Sequence, residues 1–187
     1  MTANTKKIIK ITLEILVPLL IAGVLILIDQ LTKLYISNNY ELYAPRNEII
    51  DGFFGFKYVQ NTGSAFSMFA DKDWGQTFFK ILTPIALVAY ALLYIFAGRK
   101  YKFLPIGIIF TLAGTVGNYI DRLIYNYVID FISFTFFGWD FAIFNVADVF
   151  LCVGIGMILI HYLFLDKESI FKFKKKDDEV KEQETNG

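Results

Sequence analysis

Four apolar stretches, each near the roughly 20 residues a helix needs to cross a bilayer, constrain this chain more than anything else in it. They run from about Thr12 to Ile36, Phe78 to Ala97, Phe103 to Leu123 and Asn145 to Leu165. Backbone polar groups in hydrocarbon must be paired within the segment, so each stretch reads as a helix and the four as one bundle. Composition agrees: 56% of the 187 residues are hydrophobic and only 19% are charged, which excludes an ordinary soluble domain. Pro18 and Pro84 fall inside spans and predict kinks, because neighbouring helices can re-satisfy the freed carbonyls. Pro105 sits at a helix start, where its missing N–H costs little. The N-terminal KKIIK before an apolar run imitates a signal peptide. The run is long and lacks a small-x-small cleavage site, so it reads as a retained span.

Lys and Arg orient the bundle. Lys6, Lys7 and Lys10 precede the first span; Arg99, Lys100 and Lys102 follow the second. Lys167, Lys172, Lys174, Lys175, Lys176 and Lys181 follow the fourth. Twelve of the 18 basic residues thus share one side, which identifies it as cytoplasmic and puts both termini there. Residues 1–166 read as a single four-helix membrane domain and 167–187 as a charged, disordered cytoplasmic tail. The basic run of the tail offers a secondary lipid-surface role. The fold class is an all-α membrane protein with four transmembrane helices. A small extracytoplasmic β-rich platform, at about 37–77, joins helices 1 and 2. Its stretch GFFGFKYVQNTGSAFSMFA suits short strands at a membrane interface.

Net charge is zero, so no bulk field points to nucleic acid. Cys152 is the single cysteine, which excludes an internal disulfide and a Cys-based zinc site; within LCVGIGMILI it reads as a packing residue. Small-residue spacings, Gly114 to Gly117 and Gly154 to Gly156, predict tight helix contacts.

The polar residues inside this apolar chain carry the functional signal, since charge at membrane depth is costly and usually functional. Asn118 and Asp121 in GNYIDR are three apart and share a helix face, as do Asn145 and Asp148 in FNVAD. A third acid, Asp130, lies between them. A helix continued from Phe103 to Asp130 would be about 42 Å long, against a hydrocarbon core of roughly 30 Å. The helix therefore stops near Tyr125 or Asn126, and Asp130 returns on a loop or strand to meet Asp148 at the external end. Two such carboxylates can split one proton and activate water. The competing reading is a set of polar helix-packing bridges. Asp121 beside Arg122 reads as an internal ion pair; Asp29 and Lys33, four apart in DQLTK, have the favourable order for an ion pair, whose plain alternative is a helix-end salt bridge. Asn61 to Phe66 form a small-residue turn. His161 lies at the opposite end of the fourth span and reads as structural. A Mg2+ or Ca2+ site would need denser ligand spacing than these scattered acids offer. A Ser-Lys peptidase built on Ser64 or Ser67 lacks an obvious lysine partner.

Taken in order, DQLTK (Asp29 to Lys33), NTGSAF (Asn61 to Phe66), GNYIDR (Gly117 to Arg122), VIDF (Val128 to Phe131) and FNVAD (Phe144 to Asp148) resemble the lipoprotein signal peptidase family, signal peptidase II. Ser64 and Ala113 depart mildly from its usual Ala and Gly. The resemblance implies a membrane aspartic endopeptidase without a metal or cofactor. It would cleave diacylglyceryl-modified prolipoproteins before the lipidated Cys, in the bacterial cytoplasmic membrane. The catalytic pair falls on Asp130 and Asp148. Supporting or substrate-binding positions fall on Asp29, Lys33, Asn61, Gly63, Asn118, Asp121, Arg122 and Asn145. The implied partners are lipid-modified precursors, membrane lipids and inhibitors of the globomycin type, acting on a monomer. Phe131, Phe141 and Phe144 are candidates to line the site. The alternatives are a small transporter or channel using the acids as an ion or proton relay, and a purely structural membrane protein.

Overall fold

The computed structural model describes residues 2–63, 74–96, 101 and 103–166. Ser64, Ser67, the basic residues Arg99, Lys100 and Lys102, and the charged tail from Lys167 lie outside the described residues. Four helices form: α1 (Ala3–Asn39), α2 (Gly75–Phe96), α3 (Leu104–Tyr125) and α4 (Val146–Ile160), the last continued by one π-helical turn, His161–Leu165. All four are long and apolar enough to cross a membrane. Helix α1 has 37 residues, about 55 Å at 1.5 Å per residue, and so outruns its expected span at both ends. Pro18 and Pro84 are inside α1 and α2, and Pro105 lies in the first turn of α3.

Helix α3 is central and packs on α1, α2 and α4. Gly107, Thr111, Gly114, Asn118 and Asp121 are buried at alternating spacings of four and three, which align them on one face. Two of these glycines are there for close approach. A Cβ at Gly114 would collide with the carbonyl of Ala147 in α4, and one at Gly117 would lie 2.5 Å from Asp29 Oδ2 of α1. Gly154 is similarly hemmed in by Thr111, whereas Gly156 faces open space. Of the second glycine pair, then, only Gly154 is a packing contact.

Helix α3 ends where its length demands. Tyr125 is its last residue and Asn126 caps it in the left-handed region, with φ 64°, a conformation that asparagine tolerates. The chain then enters an antiparallel sheet ordered β1 (Asn47–Ile50), β2 (Phe54–Asn61), β3 (Val128–Phe136), β4 (Trp139–Asp140). The platform expected after the first span is present as β1 and β2, and the segment between α3 and α4 supplies its other two strands. Val59 pairs with Asp130 and Asn61 with Val128. Ile36 of α1, Tyr58, Ile129 and Phe131 form a buried cluster that seats the sheet on the end of α1. Phe144 then bridges to Ile132, returning the chain beside β3 immediately before α4 begins.

Candidate active site

Asp130, Asp148 and the polar residues around them assemble at the sheet end of the bundle, around three asparagine amides. Helix α4 opens with a capping box. The Asn145 side chain accepts the Asp148 N–H at 3.0 Å, and Asp148 Oδ2 accepts the Asn145 N–H at 3.1 Å. This reciprocal arrangement satisfies two of the orphan donors of a new helix. Asn145 and Asp148 are therefore close because of a cap, not through a shared helix face. The Asn-x-x-Asp spacing ahead of an apolar run is the sequence signal that could have shown it.

With its oxygen committed to a backbone N–H, Asn145 must aim its NH2 group elsewhere. It donates to Asp130 Oδ1 at 2.6 Å and to Asn118 Oδ1 at 3.0 Å. Asn61 follows the same logic: its Oδ1 accepts the Gly63 N–H at 2.9 Å, and its Nδ2 donates to Asp130 Oδ2 at 2.9 Å. Asn118 donates to Asp148 Oδ1 at 2.7 Å. Each oxygen of each acid thus receives one N–H, and no cation touches either carboxylate in the described hydrogen bonds and ion pairs.

Asp130 is 2% exposed, while Asp148 is only partly buried. Burial, followed by the neighbouring Asp148 charge, pushes the Asp130 carboxyl up to about 7; the Asn61 and Asn145 amides and the Lys33 charge pull the other way. Desolvation disfavours the charged form, and a like charge nearby adds to it. A carboxyl poised near neutrality next to a second, more accessible one is the arrangement that general acid–base chemistry uses.

Beneath this pair lies an ion cluster. Lys33 Nζ is 2.8 Å from Asp29 Oδ2 and 3.0 Å from Asp121 Oδ2, all three side chains at 2% exposure or less. Asp29 also accepts the Ala147 N–H at 2.9 Å, and Asp121 accepts the Ile129 N–H at 3.1 Å. Gln30, overlooked in the sequence, donates to Asp29, Asp121 and the Gly117 carbonyl at 3.0–3.1 Å. Asp29 and Lys33 form the expected pair, yet deep between helices and not at a helix end. The expected pairing of Asp121 with Arg122 is wrong. Adjacent helical residues point about 100° apart, so Asp121 turns to Lys33. Arg122 donates to the carbonyls of Asn118 and Gly63 at 3.3 and 3.2 Å and lies over the Phe79 ring at 4.9 Å.

A cavity of about 670 Å³ adjoins the two acids, with Asn61, Asn118, Arg122, Asp130 and Asp148 in its wall. Phe141 and Phe144 line it as expected; Phe131 does not, because its side chain is committed to the cluster under the sheet. Farther from the sheet the walls are Thr83, Thr115 and the α4 residues Val149, Cys152 and Val153. Cys152 is exposed, not packed. Val149 and Val153 are 39% and 44% exposed, so the cavity continues onto the apolar outer face of α4. His161 is at the far end of α4, buried against Tyr101 at 4.2 Å between ring centroids, consistent with a structural role. Among the described residues, no three His, Cys, Asp or Glu side chains converge as metal ligands would.

Comparison with known proteins adds four findings. A family model described as signal peptidase (SPase) II matches residues 21–164. The chain is 40% identical over 149 residues to the lipoprotein signal peptidase of Latilactobacillus sakei, covering 79% of this chain and 95% of that one. It is 36% identical over 163 residues to the lipoprotein signal peptidase of Staphylococcus aureus, covering 87% and 94% respectively. A bacterial membrane enzyme solved at 2.3 Å superposes with a TM-score of 0.74 at 34% identity, over 84% of this chain and 96% of the other.

Proposed function

The chain belongs to the signal peptidase II family, and on that premise we propose that it is a membrane-embedded aspartic endopeptidase. It removes the signal peptide from diacylglyceryl-modified prolipoproteins by cleaving just before the lipidated Cys. The observation that carries this reading is the unequal pair, Asp130 buried and Asp148 half-buried, each held by amide donors beside one cavity.

The inequality assigns the roles. Asp148 sits at the third position of α4, where the helix N-terminus favours negative charge. It takes a proton from water as the oxygen attacks the scissile carbonyl. Asp130 holds the other proton and gives it to the carbonyl oxygen, producing a neutral tetrahedral diol. Asp148 then delivers its proton to the leaving nitrogen, the C–N bond breaks, and Asp130 recovers a proton from the diol. Both acids end as they began.

The cavity suits a substrate that carries acyl chains. Its Val149–Val153 side is continuous with the lipid-facing surface, so a lipidated peptide enters sideways without leaving the bilayer. The acids gather at one end of the bundle and are not spread through its depth, which favours a peptidase over an ion relay. Lys6, Lys7 and Lys10 lie at the other end of α1, which supports cytoplasmic termini and an extracytoplasmic site. We assign residues 1–166 to one domain, monomeric and inhibited by globomycin-type cyclic peptides.

The test is cleavage of a diacylglyceryl-modified precursor by purified enzyme in lipid vesicles, with and without globomycin. Asp130→Asn and Asp148→Asn should each insert and fold yet lose at least about a thousandfold in kcat. Near-normal turnover by either folded variant would sink the assignment.

A further inference from the structure

The three asparagines that hold the acids do not owe their orientation to the same kind of group. An amide can be turned either way, and its direction is settled only by partners that are donors or acceptors alone. For Asn61 the deciding partner is the Gly63 N–H, and for Asn145 it is the Asp148 N–H. Both are backbone groups, fixed by the chain itself. For Asn118 it is a pair of donors on Oδ1: the Lys33 Nζ at 2.9 Å and the Asn145 NH2 at 3.0 Å. An ammonium can only donate. Its three hydrogens are fully used on Asp29, Asp121 and Asn118. The second lone pair of Asn118 Oδ1 takes Asn145, itself already oriented. The NH2 of Asn118 is left to face Asp148.

We propose that Lys33 is a positioning residue: it locks the Asn118 amide so that its NH2 group holds Asp148, tying a charge on α1 to the reacting carboxylate on α4. This inference rests on the reading of Asp130 and Asp148 as the catalytic pair. It separates two jobs that Lys33 performs with different hydrogens. Two of them bind the two anions of the cluster, and the one on Asp121 holds α1 to α3. The third, together with the Asn145 NH2, sets the geometry of the acid that activates water, and it is the only charged donor on Asn118 Oδ1 in the described hydrogen bonds.

The test is a double-mutant cycle on turnover of a diacylglyceryl-modified precursor in vesicles, using Lys33→Met, Asn118→Ala and the pair together. Lys33→Met should lower kcat about a hundredfold, with KM within about threefold of the parent. Adding it to Asn118→Ala should lower kcat by less than about threefold more, because the residue it acts through is gone. Gln30→Met, which also strips buried hydrogen bonds from the cluster, should lower Tm yet leave kcat within about twofold. Should Lys33→Met fail to fold, Lys33→Met/Asp121→Asn removes the cation together with one of its two anions and is read for the same loss. A folded Lys33 variant with kcat within about fivefold of the parent overturns the proposal, as do losses that multiply fully in the cycle. If the parent enzyme cleaves no lipidated precursor, the failure belongs to the peptidase reading and not to Lys33.

Discussion

Two sets of aspartates lie within one hydrogen-bonded network and are handled in opposite ways. Asp29 and Asp121 share the ammonium of Lys33 and each accept a backbone N–H, in a compartment sealed to solvent. Asp130 and Asp148 receive side-chain and backbone N–H groups, touch no cation in the described hydrogen bonds and ion pairs, and border a cavity that Arg122 also lines. An adjacent ammonium holds a carboxylate by charge as well as by hydrogen bonds; neutral amide donors hold it in place without a full counter-charge. A few ångströms of backbone thus turn one residue type into either a structural clamp or a reactive group.

The contrast is most easily broken by removing one negative charge from each set. Replacing one carboxylate oxygen by nitrogen in Asp148→Asn should abolish turnover, by at least about a thousandfold, with little change in Tm. Asp121→Leu should do the reverse to stability. It leaves the Ile129 N–H and a Gln30 amide hydrogen without their acceptor in a dry site, at a cost of about 1–3 kcal/mol for each orphaned group, read as a large fall in Tm in detergent. Equal behaviour of the two variants in both measurements would erase the distinction.

A subtler separation uses pH. Because the Asp130 carboxyl is raised to about 7 from an ordinary value near 3.9, the folded protein binds this proton more tightly than the unfolded chain. The stability tied to that proton is fully present below about pH 4, declines as pH rises and is lost above about 7. Asp130→Asn should therefore gain Tm relative to the parent between pH 5 and pH 8. In turnover, the alkaline limb reporting Asp130 should fall near pH 7. Asn61→Ala should move that limb upward, since the Asn61 donor favours the ionised form. A limb that stays put in Asn61→Ala, or moves down, contradicts the link.

The smallest contrast is between two glycines. Gly117→Ala drives a methyl toward Asp29 Oδ2 in the clamp and should cost about 1–3 kcal/mol. Gly156→Ala meets nothing and should change stability by no more than about 0.5 kcal/mol.

Much of this was readable in the sequence because it followed from length and period. The bilayer thickness forced α3 to stop near Tyr125 and freed Asp130 to turn back, and the left-handed Asn126 is how the chain does so. What stayed hidden was everything decided between elements. The partner of Asp121 depends on how closely α1 approaches α3, and that closeness is set by Gly117; on sequence adjacency Arg122 looked nearer. The pairing of Val59 with Asp130 needs strands from two separate connections to find one another. Cys152 was misjudged because hydrophobicity cannot distinguish a core face from a lipid face, both being apolar.

The capping box at the head of α4 has a consequence for how such an enzyme comes into being. Asp148 and Asn145 close the first turn of the last span, so the proposed reactive centre does not exist as a site awaiting its final helix. Until that helix is seated, Asn145 has no fixed direction and neither acid has its full set of donors. A nascent chain with three spans inserted carries all but one of its acids and none of its activity. Completion of membrane insertion and arming of the protease are the same event.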